Sequence, residues 1–96
     1  QLLADHSILR KERKNDFIEF RLKRGHKGVG YPLRALSLPR QVNVVSVDRG
    51  GELLIPKGDT IFQAGDIVTL FGRREQLCEA RKILTGEPGP PCRENG

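Results

Sequence analysis

The apolar residues of this 96-residue chain fall in short runs separated by glycine or proline, and most of these runs have the two-residue period of β-strands. Over positions 16–22, Ile18, Phe20 and Leu22 share one face of a strand, because they alternate with a second set of residues that share the other face, Phe17, Glu19 and Arg21. A further apolar strand is predicted over positions 67–71, with Gly72 ending it. The pattern therefore predicts a sheet as the centre of the fold.

Two more β-type runs lie in the middle of the chain. Positions 42–47 are rich in β-branched residues and positions 52–55 form a second apolar run. Gly50 and Gly51, between them, tolerate the positive φ of a tight turn, which predicts a β-hairpin. Turns are also predicted at 56–59 and 64–66, on either side of a short apolar strand at 61–62.

Helical spacing occurs in two places. Positions 74–84 place Leu77, Ala80 and Leu84 on one face, and a shorter helix is predicted to begin at Pro32 and to stop at Pro39. This order of elements predicts an α+β fold, a small antiparallel β-sheet with two short helices. Because two short helices cannot cover the apolar faces of such a sheet, we expect a dimer.

The composition changes at both ends of the chain. Residues 1–15 combine a short apolar stretch with a charged run, which predicts a linker, and residues 16–84 hold the patterned segments of one folded domain. Residues 85–96 are rich in proline and glycine, which predicts a disordered C-terminal tail. The chain contains no methionine, so we expect it to be a segment of a longer protein.

The net charge of +5 is concentrated in the first half of the chain. Residues 1–48 carry ten Lys and Arg against five Asp and Glu, whereas residues 49–96 carry seven of each. A basic segment over 10–27 leaves open a nucleic-acid-binding module, although one Tyr, four Phe and no Trp offer few aromatic rings for stacking on bases. No apolar run approaches the roughly 20 residues that a membrane-spanning helix needs.

The residues capable of catalysis or metal binding do not form a recognisable set. His6 and His26 have no Ser, Cys or acidic residue at a spacing that would make an activated nucleophile, so we predict no enzyme activity. Asp59 and Asp66 each follow a glycine and are interpreted as turn residues. No Cys and His cluster has the spacing of a metal site.

Two polar residues near the hairpin remain as candidates for contact with a small molecule. Asn43 begins the first hairpin strand and Arg49 ends it. Each also has a purely structural interpretation, Asn43 as a polar residue at a strand edge and Arg49 as a charge in a turn.

The middle of the chain resembles the TrkA-C family, also called the RCK C-terminal domain. The resemblance rests on motifs that occur in order, and it extends from about Asp16 to Leu84. These motifs are a Leu38-Pro39 helix end, an apolar strand closing in Arg49-Gly50, a turn at 55–60 of sequence IPKGDT, and a strand that follows Gly65-Asp66 and reaches Gly72.

The resemblance implies a cytosolic regulatory domain on the cytoplasmic side of the cell membrane. Members of the family are parts of membrane ion transporters and channels, most often for potassium or another monovalent cation. An anion transporter or a chloride channel is also a possible parent. The resemblance further implies a homodimer, contact with the transmembrane portion of a transporter, and no catalytic activity.

Some members of the family bind cyclic di-AMP across the dimer. By resemblance, Leu36, Asn43 and Val44 would contact such a ligand. Arg49 is a further candidate for ligand binding, because it is a charged residue near them in the sequence. Ala35 and Ser37 stand where those members carry an acidic residue and an arginine, and a guanidinium that binds phosphate in two places is hard to replace. The expectation is therefore that no cofactor is certain and that cyclic di-AMP or another small effector is possible, with a different effector, or none, favoured over cyclic di-AMP.

Overall fold

The computed structural model describes residues 15–89, which form one antiparallel sheet with a helix on one face. The elements, in chain order, are β1 (Asn15–Arg21), a 3-10 helix (Leu33–Ala35), β2 (Val42–Arg49), β3 (Glu52–Leu54), β4 (Ile67–Arg73) and α1 (Arg74–Thr85). The predicted α+β class with an antiparallel sheet is confirmed. Residues 1–14, most of the predicted linker, and 90–96, most of the predicted tail, lie outside the described residues.

The four strands lie in the order β1-β4-β2-β3, and each neighbouring pair is antiparallel. β4 is therefore a central strand, although it is the last strand in the chain. Ile18 is opposite Leu70, and Leu70 is in turn opposite Val44, so the alternating apolar residues of three strands share one face. A bulge between Val44 and Ser46 shifts the register of β2 by one residue.

The helix α1 covers this apolar face, as its spacing predicted. Leu77, Ala80 and Leu84 are fully buried against the sheet. Gly86 follows the helix in the left-handed conformation at φ 81°, and its N–H donates to the carbonyl of Lys82 at 2.7 Å, which satisfies one of the open carbonyls of the last turn. The core consists of Phe20, Leu22, Val42, Val47, Phe62, Val68, Leu70, Leu77, Ala80 and Leu84.

The prediction of a second short α-helix is wrong, because only one 3-10 turn forms after Pro32. Leu36 already has the extended backbone (φ −97°, ψ 127°), so the helical turn ends three residues before Pro39. The N–H groups of Leu33 and Arg34, which would have no partner inside a helix that begins there, donate to the carbonyls of Thr60 and Gly58. The predicted short strand at 61–62 is likewise reduced to one bridge between Pro32 and Ile61.

The hairpin between β2 and β3 follows its predicted turn, because Gly50 and Gly51 both have positive φ. Gly72, in contrast, does not end its strand, since β4 continues to Arg73 and runs directly into α1. A Cβ atom at position 72 would collide with the carbonyl oxygen of Gln41 and would lie 3.0 Å from Val42 Cα. Glycine is required there for the close approach of two backbones, not as a terminator.

Within residues 15–89, no helix is long and apolar enough to cross a membrane.

We expect Gly72→Ala to lower the free energy of unfolding by about 1–3 kcal/mol, because the new methyl group would push β2 away from β4. Gly58→Ala is the matched control, since a Cβ there would meet only Arg34 Cβ, at an ordinary 3.6 Å. Urea unfolding followed by circular dichroism measures both. Equal stability of the two variants would contradict the close approach described at Gly72.

Candidate functional site

Arg49 and Asp66 form a bidentate ion pair at one end of the sheet. Arg49 is the last residue of β2, and Asp66 directly precedes β4. Arg49 Nε donates to Asp66 Oδ1 and Arg49 Nη2 donates to Asp66 Oδ2, both at 2.9 Å. Asp66 is 1% exposed, whereas the side chain of Arg49 is 31% exposed and covers it. The arrangement therefore buries the Asp66 carboxylate together with the positive charge of Arg49 that neutralises it.

The same ion pair also makes hydrogen bonds to the loop that joins β3 to β4. Arg49 Nη2 also donates to the carbonyl of Ile61, and the N–H of Gln63 donates to Asp66 Oδ2, each at 2.9 Å. The hydrogen bonds to Asp66 and its negative charge raise the pKa of Arg49 above its ordinary value, although desolvation opposes this. The guanidinium is therefore charged at neutral pH.

Asp66 is a turn residue, as predicted, but its main partner was missed by the sequence analysis. The interpretation of Arg49 as a turn charge and that of Asp66 as a turn acid each used neighbouring residues only. The two residues are separated by 17 positions, and only the closing of the intervening loop brings them together. The one indication in the sequence was an acidic residue placed between a turn glycine and an apolar strand, where burial would demand a counter-charge.

The structure separates the four predicted ligand-binding residues. Asn43 is exposed on the sheet face that α1 leaves open, whereas Val44, the next residue, packs against the core on the other face. Leu36 is half-buried beside the 3-10 helix. Arg49 lies six residues further along β2 than Asn43, roughly 20 Å away at the rise of a β-strand. One chain therefore does not gather all four residues in a single pocket, and their role stays a prediction.

The open face carries an aromatic pair that the sequence analysis did not single out. Phe17 of β1 is 60% exposed, and its ring centroid lies 4.6 Å from that of Phe71 of β4, with the planes at 45°. Asn15 and Asp16 line a shallow groove beside the two rings. In register, Asn43 is directly opposite Phe71, so an amide and two rings form a row across three strands.

The polar residues considered for catalysis have structural partners where they are described. His26 Nδ1 accepts the N–H of Lys23 at 2.9 Å, and its Nε2 lies 3.8 Å from Glu87 Oε2. Asp59 is an exposed turn residue, and His6 lies outside the described residues. Among residues 15–89, no three His, Cys, Asp or Glu side chains lie close enough together to hold a metal ion.

The motifs, the sheet order and the single covering helix define a small regulatory-type α+β domain, and comparison with known families identifies it. The model of the TrkA-C domain matches residues 17–85, which is nearly the whole of the described sheet and helix. The chain belongs to the TrkA-C domain family, as the resemblance in its sequence motifs predicted.

The curated relatives include proteins named for potassium transport. The Trk system potassium uptake protein TrkA homolog of Archaeoglobus fulgidus is 36% identical over 78 residues, which cover 81% of this chain and 17% of the relative. The K(+)/H(+) antiporter NhaP2 of Shewanella sp. (strain MR-4) is 36% identical over 69 residues, covering 72% of this chain and 12% of the antiporter. The chain thus corresponds to a small part of the length of each of these relatives.

Solved structures with the same fold include two kinds of complex. The RCK C domain of the potassium transport protein KtrA with c-di-AMP aligns with a TM-score of 0.63 at 23% identity, over 86% of this chain and 96% of that one. S. agalactiae BusR with promoter DNA aligns at 0.59 and 18% identity, over 86% of this chain and 46% of BusR. At these identities the likeness shows the fold alone, so the BusR complex gives no separate support to the nucleic-acid-binding alternative.

We expect Arg49→Met to lower the free energy of unfolding by about 2–4 kcal/mol, because the buried Asp66 carboxylate loses its counter-charge. Arg74→Met is the matched control. It breaks the exposed Arg74–Asp16 pair of 3.1 Å, for which about 1 kcal/mol or less is expected. Chemical unfolding at neutral pH measures both variants.

The double variant Arg49→Met/Asp66→Asn should recover part of the loss, since it removes the unpaired charge as well. The raised pKa of Arg49 means that its share of the stability is fully present below the ordinary arginine pKa and is lost only above it. The effect of Arg49→Met should therefore not fade between neutral and mildly alkaline pH. A loss no larger than that of Arg74→Met would refute the role given to the pair.

Proposed function

We propose that this chain is a regulatory domain of a membrane transport system for potassium or another monovalent cation, working on the cytoplasmic side of the membrane. The observation that carries the proposal is the TrkA-C match, which spans the folded part of the chain, together with relatives that are named as potassium uptake and K(+)/H(+) antiport proteins. An anion transporter or a chloride channel is the alternative parent, and the same domain would regulate it.

The proposed mechanism is a shift between two arrangements of a dimer. An effector that binds one arrangement more tightly raises the population of that arrangement, and the attached transmembrane part moves with it. An effector with equal affinity for both would change nothing, however tightly it bound. The predicted linker at 1–15 is the segment through which the movement would pass.

Apolar side chains left on the surface support the proposal of a homodimer. Six large apolar residues of the described part are exposed, and such residues mark interaction sites in soluble domains where they adjoin one another. They are Phe17, Tyr31, Val45, Leu53, Ile55 and Ile61. Phe17 lies on the open sheet face, whereas Ile61 forms the isolated bridge with Pro32 and lies close to Tyr31. These are two candidate faces for the second copy.

We expect a dimer by light scattering at high micromolar concentration, because burial of one of these faces would release water from apolar surface. Phe17→Ser and Ile61→Ser serve as controls for each other, and one of them should weaken the dimer about tenfold or more while the other leaves it intact. A strictly monomeric wild-type chain, or a dimer that neither variant weakens, would count against the proposal.

A dimer would also bring together predicted ligand-binding residues that lie apart within one chain. Leu36, Asn43 and Val44 do not share one face within a chain, but two copies that meet near the start of β2 would bring two sets of them together. The complex of the KtrA RCK C domain supports a small effector in this family of folds. Ala35 and Ser37 supply no charge for a phosphate, so we propose an effector other than cyclic di-AMP.

Ion flux through the parent protein tests the function. The parent is reconstituted in vesicles with its domain intact or with residues 17–85 deleted, and potassium and chloride fluxes are measured. Deletion should change the flux of the transported ion about fivefold or more, as expected when a regulatory domain is uncoupled. Added cyclic di-AMP should leave the intact protein unchanged.

Asn43→Ala should alter the regulated flux, whereas Ser46→Ala, on the same strand and half-buried, is the matched control. Identical fluxes for the intact and deleted proteins under all ionic conditions would overturn the proposed function. A chloride flux that alone responds to the deletion would instead indicate the anion-transporting parent.

A further inference from the structure

A group of exposed basic side chains surrounds the end of α1, and no acidic side chain of the described residues pairs with any of them. The basic patch consists of Lys23, Arg24, Lys27 and Lys82. Elsewhere in residues 15–89 the arginines at positions 49, 73 and 74 each have a carboxylate within 4.0 Å. The patch is thus a local excess of positive charge rather than a set of intramolecular ion pairs.

The segment that carries most of the patch is held firmly at both ends. Leu22 is fully buried, its N–H donates to the carbonyl of Asp66 and its carbonyl accepts the N–H of Gly65, both at 2.7 Å. The N–H of Gly28 donates to the carbonyl of Leu84 at 2.8 Å. Between these anchors, the Lys23 N–H bonds to the ring of His26 and closes a turn. The charges therefore project from a fixed backbone, which reduces the ordering cost of binding.

The helix end lies directly beside this segment. The aliphatic part of Lys27 lies against Gly86, since a Cβ placed there would be 2.9 Å from Lys27 Cγ. Lys82 is in the last turn of α1 and points to solvent. The acidic groups nearby are Glu79, one turn before Lys82 on α1, and Glu87, whose side chain faces His26. Four positive charges against two negative ones leave an excess.

We infer that the basic patch binds the anionic surface of a lipid bilayer. A membrane leaflet rich in acidic lipids attracts clusters of lysine and arginine without requiring a shaped pocket, and the attraction of several such residues adds up. The patch has this form, because its charged side chains are exposed on a turn and on the last turn of a helix. The choice of a membrane as partner rests on the proposed function, under which the domain works beside an integral membrane protein.

A nucleic acid fits the patch less well. Single strands are held by aromatic rings on which bases stack, and the exposed rings of the described part, Phe17 and Tyr31, are not members of the patch. Phosphates also favour the amino end of a helix, whereas the patch surrounds the carboxyl end of α1. Phosphate groups of a bilayer do not need to approach that end closely, since the long side chains of Lys27 and Lys82 reach outward.

Co-sedimentation of the chain with vesicles tests this inference. The vesicles contain phosphatidylcholine alone or with about 30% phosphatidylglycerol, the anionic component that should be required for binding. The variant Lys23→Gln/Arg24→Gln/Lys27→Gln should lose about tenfold in partition to the anionic vesicles. The matched control Arg34→Gln/Arg40→Gln/Lys57→Gln removes the same charge from three exposed residues outside the patch and should lose much less.

Thermal unfolding by circular dichroism must show that both triple variants are folded. Binding of the wild type should also fall steeply as salt rises from about 0.1 to 0.5 M, because exposed charges are then screened. Equal loss in the two variants, or equal binding to neutral vesicles, would overturn the inference. Tighter binding to a DNA duplex than to anionic vesicles, lost only in the patch variant, would assign the surface to nucleic acid instead. The flux experiment on the parent protein is independent, so the proposed function can stand if vesicle binding fails.

Discussion

The Arg49–Asp66 ion pair is the constraint on which the arrangement of this domain depends. It joins the last residue of β2 to the residue before β4, and through the carbonyl of Ile61 it also holds the loop between them. The backbone of Asp66 continues the connection, because its carbonyl accepts the N–H of Leu22 at the end of β1. Asp66 therefore links three strands and a loop, through its carboxylate to β2 and the loop and through its backbone carbonyl to the end of β1. A hydrophobic contact in the same place would not set their directions as closely, since apolar contacts are non-directional.

The sequence predicted the elements whose causes are local. Ile18, Phe20 and Leu22 show the strand period, and α1 was predicted to within one residue at its end, because side-chain alternation and helical spacing depend on neighbours in the chain. The same rules misjudged Gly72, since its requirement comes from the backbone of Gln41 and Val42, at the start of β2. A glycine that ends a strand and one that lets two strands approach cannot be told apart until the pairing is known.

The candidate site was predicted less well than the fold, for a related reason. The row of Asn43, Phe71 and Phe17 depends on the order β1-β4-β2, in which the last strand lies between the first two. Period-two spacing assigns each residue to a face of its own strand but does not say which strands are adjacent. The 17-residue separation of Arg49 and Asp66 posed the same difficulty. The family motifs were enough to identify the domain, because they depend only on the order of residues along the chain. They carried no information on which distant residues are in contact.

The two surfaces that carry the proposals lie at opposite ends of the sheet. Asn15 is paired with Arg73 and Val42 with Gly72 at the end that holds Asn43 and the aromatic groove, whereas Arg21 and Asp48 meet Ile67 at the end that holds the ion pair and the basic patch. The strands between them are about 20 Å long and are tied together by hydrogen bonds and by α1. A unit of this kind moves as one body rather than bending. An effector at the first end would therefore act by changing how whole domains sit against each other, and a membrane contact at the second end would fix the point about which they turn.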